Sequence, residues 1–141
     1  MMNFIEAGCA ECHSGPMFSD FELHVLTVPE NDKLNEIDFG DGNFAFRTPT
    51  LRNLSSTAPY MHNGVFQTLE EVLEFYDEVD DSSQNPHIPS SARAEELGRL
   101  DLPDDQVSSI IAFIKALDDP HFDKSIPAQV PSQLKPGGNI E

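Results

Sequence analysis

Apolar residues recur at helical spacing in two segments of this chain. In the first segment they stand at positions i, i+3, i+4 and i+7, one face of a helix: Leu69, Val72, Leu73 and Tyr76. Thr68 and Glu71 form a capping-box pattern at the start, since Thr68 would accept a hydrogen bond from the first turn and Glu71 would reach back. The pattern predicts a helix from residue 69 to about Val79, with Tyr76 pointing inward.

The second segment carries the strongest helical pattern in the chain. Pro103 lies at or next to its first position, and Asp104 and Asp105 favour the positive start of a helix. The apolar stripe that follows is Val107, Ile110, Ile111, Ile114 and Leu117. A shorter helix is predicted from Ser91 to Gly98, with Gly98 as its C-terminal stop.

The remaining sequence shows no periodicity. Residues 16–50 are rich in proline, glycine and polar residues, and predict loops of the kind that wrap a cofactor. Residues 120–141 predict an extended Pro/Gly-rich tail that packs on or near the rest. No internal repeat and no strand pair with hairpin chemistry is found. The sequence therefore predicts an all-α domain over residues 1–119, with few helices and long loops.

The length and net charge of the chain limit its number of domains and its classes of binding partner. The chain has 141 residues, which suits one domain, and its formal net charge is −17, from 25 acidic and 8 basic residues. Nucleic acids and anionic membranes are poor partners because they attract positive charge, whereas a basic protein would be attracted here. Solubility alone is an equally good explanation of the acidity. No segment approaches the roughly 20 apolar residues of a membrane span.

The chemistry of the chain is concentrated at residues 9–13, which read Cys-Ala-Glu-Cys-His and use both cysteines. C-x-x-C-H is the attachment site of a c-type haem, with Cys9 and Cys12 as thioether anchors and His13 as proximal ligand of the iron. Three alternatives are weaker. A zinc site lacks a second ligand pair, a thioredoxin-like pair lacks a preceding strand, and a disulfide would close too short a loop to stabilise the fold.

Haem attachment also bears on location. Haem c is attached outside the bacterial cytoplasm, so we expect an exported, periplasmic protein. The first residues show neither the charged nor the apolar region of a secretion signal. We interpret the sequence as a fragment that was cut from a longer secreted protein just before its haem motif.

Four blocks of sequence, in order, resemble the bacterial dihaem cytochrome c peroxidase family. They read GCAECHSGP (residues 8–16), FRTPTLRN (46–53), APYMHNG (58–64) and TLEEV continuing to FY (68–76). The resemblance covers most of the chain and falls on the family's C-terminal domain, a cytochrome c-like domain whose haem transfers electrons. The family's N-terminal domain, where peroxide is reduced at a second haem, has no counterpart in this sequence.

The resemblance implies a distal ligand of the iron. The position matching Tyr76 is a methionine ligand in the peroxidases, and a tyrosine in the MauG-like branch, which oxidises amino acids of a partner protein. The chain therefore looks MauG-like, with Tyr76 as first candidate. Met61 is the second candidate, and would otherwise pack against the porphyrin. His62 or an open position is the third, and Tyr76 could instead be a core tyrosine.

Other implied site residues lie in the same blocks. His62 matches a histidine near the interface of the family's two haem domains, although a loop histidine bonded to backbone explains it equally well. Arg47 and Arg52 match a block beside the haem, and a guanidinium suits bidentate pairing with a propionate, exposed arginines being the alternative.

The family also binds calcium between its domains through backbone carbonyls that match Thr57 and Pro59. The third protein ligand would come from the missing domain, so we expect an incomplete calcium site here. The three histidines outside the blocks are interpreted as surface residues: His24, His87 and His121.

The resemblance implies the electron-transfer haem domain of a dihaem peroxidase or MauG-like enzyme. Electrons would pass to or from a haem in the missing N-terminal domain, and a basic redox protein would be a further partner. The chain alone is expected to turn over little peroxide, and no catalytic residue is assigned in it. One alternative is a stand-alone monohaem carrier, although residues 2–7 leave only about one and a half turns of helix to pack on the last helix. Another is a haem-based sensor or docking module.

Overall fold

A computed structural model describes residues 1–78, 85–121, 125 and 127–132 of the chain. Within these residues the α-helices are α1 (Met2–Glu6), α2 (Leu69–Glu78) and α3 (Asp104–Lys115). Short 3₁₀ turns lie at Cys9–Glu11, Leu54–Ser56, Ser90–Ala92 and Glu95–Arg99. Strands β1 (Leu23–His24) and β2 (Phe46–Arg47) form an antiparallel ladder. None of the helices in the described part of the chain has the length and apolar content of a membrane-spanning segment.

Helix α1 packs on α3 although it has only five residues. Phe4 is 3% exposed, and its ring centroid lies 5.1 Å from that of Phe113 and 6.5 Å from that of Phe18. The amide of Asn3 donates to the hydroxyl of Ser109 at 2.8 Å. Because so short a helix is not stable alone in water, these contacts hold α1 in place.

Helix α2 begins as the capping box predicts. The backbone N–H of Glu71 donates to the hydroxyl of Thr68 at 3.2 Å, and the N–H of Thr68 donates to the Glu71 carboxylate at 3.1 Å. The predicted end at Val79 lies outside the described residues. Leu69 and Leu73 are buried, which confirms the predicted inner face.

Helix α2 has a second buried face that the periodicity did not reveal. Phe75 is 3% exposed and packs with Val28 and Leu97, in a cluster distinct from the one that joins α2 to α1 and α3. Tyr76 packs against both clusters. The helix therefore separates two apolar regions, and Tyr76 stands at their boundary.

Of the two other predicted helices, one is confirmed and one is wrong. Helix α3 follows Pro103 and buries Ile110, Ile111 and Ile114, as predicted. The single helix from Ser91 to Gly98 is wrong, because the chain there forms two 3₁₀ turns separated by extended backbone. Ala94, at ψ 135°, donates its N–H to the carbonyl of Val25 at 3.0 Å, and Gly98 lies inside the second turn.

The described part of the chain consists mainly of helices and loops, as predicted for the fold class. Residues 16–50 form the predicted long loop, which contains only the two short strands. The ladder is an addition to the all-α expectation, pairing Leu23 with Arg47 and His24 with Phe46. A strand of two residues is too short to show an alternation of apolar and polar positions, so the sequence pattern does not predict it. The ladder ties the two ends of the long loop together and so shapes the site described next.

Candidate functional site

The two apolar clusters border a cavity of about 460 Å³. This volume falls in the range of about 300–1,000 Å³ that is typical of cofactor pockets. Nine of the residues singled out from the sequence line it: Cys9, Cys12, His13, Arg47, Thr57, Pro59, Met61, His62 and Tyr76. Among the predicted site residues, Arg52 lies outside this lining.

The motif turn, residues 8–13, presents both thiols on the cavity wall. Gly8 begins the turn at φ +87°, a left-handed conformation that favours glycine, and the N–H of His13 donates to the carbonyl of Cys9 at 3.0 Å. Both cysteines are free and half-buried. Burial raises the pKa of each thiol to about 11, and for Cys12 the nearby carboxylates of Asp20, Glu96 and Glu11 add to it. Both thiols are therefore protonated at neutral pH.

His13 is oriented by the loop that follows it. Its Nδ1 lies 3.0 Å from the carbonyl oxygen of Phe18, to which it donates when the ring is neutral. Burial lowers the pKa of His13, although this hydrogen bond opposes the shift, so the imidazole is neutral at pH 7. With Nδ1–H engaged, the lone pair of Nε2 is available to a metal ion.

Arg52 stabilises the loop that contains Phe18. Its Nε and Nη2 donate to the carbonyl of Pro16 at 2.9 and 2.6 Å, and its guanidinium lies 5.6 Å from the Phe18 ring centroid. The side chain therefore fixes the segment whose carbonyl orients His13. Arg47 is exposed at the cavity and donates to the carbonyl of Phe21. The pairing of either arginine with a propionate stays a prediction.

Tyr76 contributes to the cavity from helix α2. Burial raises the pKa of its phenol, and Cys12 and Cys9 add to the shift when they are ionised. Its partly exposed surface belongs to the cavity lining. The phenol is accordingly un-ionised at neutral pH in the absence of a metal ion.

The Met61 loop, residues 59–64, brings two more candidates to the cavity. Met61 adopts φ +67°, and His62 stacks on Phe46 with ring centroids 3.7 Å apart. Burial lowers the pKa of His62, against the opposing effect of Asp38 and Glu30. The Asn63 amide donates to the carbonyl of Pro29 at 2.8 Å, and the Asn31 amide donates to the carbonyl of Asn63 at 2.9 Å.

Two backbone carbonyls predicted to bind calcium lie near the same loop. Thr57 and Pro59 are both exposed and both reach the cavity lining. Tyr60, which was not predicted as a site residue, also lines the cavity and donates its hydroxyl to the carbonyl of Leu54 at 3.0 Å. Both residues therefore lie at the surface of the chain.

The interpretation of His24 as a surface residue is wrong. Its side chain is 16% exposed, lines the cavity, and places Nε2 2.9 Å from a carboxylate oxygen of Asp20. The Nδ1 atom lies 3.9 Å from a carboxylate oxygen of Glu96. The spacing of Asp20 and His24 close behind the motif was the only available signal. His87 and His121 are exposed, as predicted.

Comparisons with known proteins supply the remaining findings. No protein-family model matches the chain. The cytochrome-c peroxidase IdrP1 of Pseudomonas sp. (strain SCT) is 32% identical over an alignment of 171 positions including gaps, which covers 92% of the chain and 43% of that protein. The methylamine utilization protein MauG of Methylophilus methylotrophus is 30% identical over 123 residues, covering 80% of the chain and 33% of that protein.

A solved structure is similar over a comparable range. It is described as a MauG-like protein associated with microbial copper homeostasis, and it matches with a TM-score of 0.67 at 27% identity. The match covers 83% of the chain and 45% of that protein. The chain therefore spans less than half the length of each of these three proteins.

Proposed function

This chain belongs to the family of bacterial cytochrome c peroxidases and MauG proteins, and we propose that it is an electron-transfer domain with one covalent haem c. Its electrons pass to or from a second haem in another domain, on the N-terminal side. The observation that supports this most is the convergence of the motif turn, His13 and Tyr76 on one cavity. The large difference in length between chain and relatives is consistent with a further domain.

The residues around the cavity fit a haem c. Aliphatic and aromatic side chains from α2, α3 and the loops form most of the lining, which suits a porphyrin face. When bound, the haem supplies a one-electron redox centre. Cys9 and Cys12 anchor it, and His13 offers a neutral Nε2 whose direction is fixed by the Phe18 carbonyl.

On the distal side we assign Tyr76, with Met61 as the second candidate. Tyr76 projects from a helix with a complete capping box, whereas Met61 lies in a loop at positive φ. A thioether ligand raises the reduction potential of a haem, and an anionic phenolate, as an oxygen donor, favours ferric iron. The assignment therefore predicts a low potential and the MauG-like branch of the family.

Partners and location follow from charge and chemistry. With a net charge of −17 the chain would attract a basic redox protein, and the attraction would weaken as salt increases. The exposed residues Thr57 and Pro59 suit a calcium site that another domain completes. Because haem c is attached outside the cytoplasm, we place the protein in the periplasm.

The test is the visible spectrum of the exported, haem-loaded chain, ferric and ferrous, in wild type, Tyr76→Phe and Tyr60→Phe. The chain contains two tyrosines, and both line the cavity, so Tyr60→Phe is a matched control. We expect a c-type spectrum without a methionine-to-iron band, and a change of ferric spin state in Tyr76→Phe alone. A methionine-to-iron band that persists in Tyr76→Phe would move the ligand to Met61. A protein without covalent haem would overturn the proposed function.

One observation favours a second function, a stand-alone monohaem electron carrier. The short helix α1 does pack on α3, through the contacts of Phe4 and Asn3, so this side of the cavity is closed by the chain itself. The two functions differ in what the haem-loaded chain does by itself. A stand-alone carrier would be both reduced and reoxidised by soluble redox proteins, whereas a domain of a dihaem enzyme would lack the second haem that takes or supplies its electron.

A further inference from the structure

Three side chains with metal-binding atoms converge beside the motif turn, and two of them have no role in the proposed haem site. The Sγ of Cys12, a carboxylate oxygen of Asp20 and an imidazole nitrogen of His24 all lie within 4.8 Å of one another. We propose that, before haem is attached, these residues bind a divalent cation of the zinc type. Because Cys12 belongs to both sites, cation binding and haem attachment exclude each other.

The backbone holds the three residues together. The N–H of Asp20 donates to the carbonyl of Cys12 at 2.8 Å, which brings the two side chains to the same place. His24 lies in β1, where its pairing with Phe46 of β2 fixes its backbone. The neighbouring Ser19 is buried and donates to the carbonyl of Thr48 at 2.7 Å, so the segment between them is anchored too.

The donor set suits zinc. Thiolate, imidazole and carboxylate bind Zn²⁺ at about 2.3, 2.0–2.1 and 2.0–2.2 Å, which places tetrahedral donors roughly 3.3–3.8 Å apart. Nε2 of His24 and an Asp20 oxygen are 2.9 Å apart, and Sγ of Cys12 lies within 4.8 Å of one ligand atom of each residue. Movements of roughly 1 Å would therefore complete the geometry, with water as the fourth ligand.

Glu96 supplies the outer partner that such sites commonly have. Its carboxylate lies 3.9 Å from Nδ1 of His24, on the ring nitrogen opposite the one that faces Asp20. A metal-bound histidine usually donates its other N–H to a carboxylate, which fixes the tautomer and makes the ligand more basic. Glu96 is thus placed to leave Nε2 of His24 for the cation.

Electrostatics favour a cation at this place. Two carboxylates stand beside the histidine, since an oxygen of Asp20 lies 2.9 Å from Nε2 of His24 and an oxygen of Glu96 lies 3.9 Å from Nδ1. A divalent cation bound here would offset their charge and stabilise the Cys12 thiolate. Binding should accordingly release the Cys12 proton.

Haem attachment removes this site. The Cys12 S–H adds across a vinyl double bond, so that an S–C and a C–H bond form, the S–H bond breaks, and no electrons are exchanged. The resulting thioether has no proton to lose and cannot become a thiolate ligand. A cation held by the Cys12 thiolate would conversely keep that sulfur from the vinyl group.

The test uses the full chain prepared without haem, with Co²⁺ as a spectroscopic probe and Zn²⁺ as competitor. We expect one Co²⁺ per chain, a thiolate-to-cobalt charge-transfer band and displacement by Zn²⁺. Cys12→Ser should abolish the band, His24→Gln should lower affinity at least tenfold, and Glu96→Gln should lower it roughly tenfold. The matched control is Cys9→Ser, which removes the other thiol of the motif turn and should leave binding unchanged.

A second readout follows the thiol directly. Bound Zn²⁺ should protect Cys12 from iodoacetamide and leave Cys9 reactive, as measured by mass spectrometry of the alkylated peptides. Equal loss of cobalt binding in Cys9→Ser and Cys12→Ser would show that an unfolded C-x-x-C pair binds the ion, and would overturn the proposal. So would an absence of binding by the wild-type chain, or equal binding after haem attachment.

Discussion

The motif turn and the distal side of the cavity are built in different ways. Cys9, Cys12 and His13 lie within one turn, and the hydrogen bonds that orient them come from residues 8–18. Tyr76 and Met61 come from separate segments, a capped helix and a loop tied down by Asn63. The motif turn is therefore encoded locally, whereas the positions of Tyr76 and Met61 depend on how distant segments pack.

The largest effect should come from the motif turn itself. In the double variant Cys9→Ala and Cys12→Ala no thioether can form, so we expect complete loss of covalent haem. The measurement is haem-dependent staining of the denatured chain on a gel, with Tyr76→Phe as the control that keeps its stain. Covalent haem in the double variant would show that the local sequence does not define the attachment site.

The packing of α1 beside the motif turn should give the next largest effect, on the free energy of unfolding. Phe4→Ala removes a buried ring from the contacts with Phe18 and Phe113, and should lower the free energy of unfolding of the haem-loaded chain by about 3–5 kcal/mol. The measurement is unfolding in urea. Ile5→Ala changes an exposed residue of the same helix and should stay within about 0.5 kcal/mol of wild type.

On the distal side, Asn63→Ala distinguishes the two candidate ligands. Loss of the hydrogen bond to Pro29 and of the one accepted from the N–H of Val65 should lower the free energy of unfolding by about 1–3 kcal/mol. The ferric spectrum should not change, because Tyr76 is held by α2. A changed spectrum would indicate that Met61 binds the iron. Asn43→Ala, in an exposed loop, is the control.

The smallest effect concerns the start of α2. Thr68→Ala removes the hydroxyl that accepts from the N–H of Glu71, and should cost about 1 kcal/mol of folding free energy. Urea unfolding of the haem-loaded chain measures it, with Ser108→Ala on the exposed side of α3 as control. A shift in the ferric spectrum of Thr68→Ala as well would strengthen the link between the helix start and Tyr76.

The same contrast explains which features the sequence predicts. The motif, the capping box of Thr68 and the stripe on α3 depend on spacings of a few residues, and all are found where predicted. Phe75 was missed because α2 is buried on two faces, so its burial does not follow one helical stripe. His24 was missed because its burial depends on the ladder with Phe46, a pairing between distant positions.

Gly98 illustrates the same limit on a smaller scale. Glycine often ends a helix because it tolerates a left-handed conformation. Here the chain is already extended at Arg93 and Ala94, where backbone pairing with Val25 replaces the predicted helix. Gly98 then lies within the 3₁₀ turn Glu95–Arg99. The local signal is wrong here, because a contact across the fold determines the conformation of this segment.

The aromatic cluster of Phe4, Phe18 and Phe113 also sets an order of assembly. Two of its rings flank the motif turn, and the third lies far along the chain on α3. Contacts between such distant positions form late, because the long loop between them must first be closed. During synthesis the motif turn therefore stays open until residue 113 is available. The delay provides an interval in which the thiols are accessible to haem before the last helix closes over them.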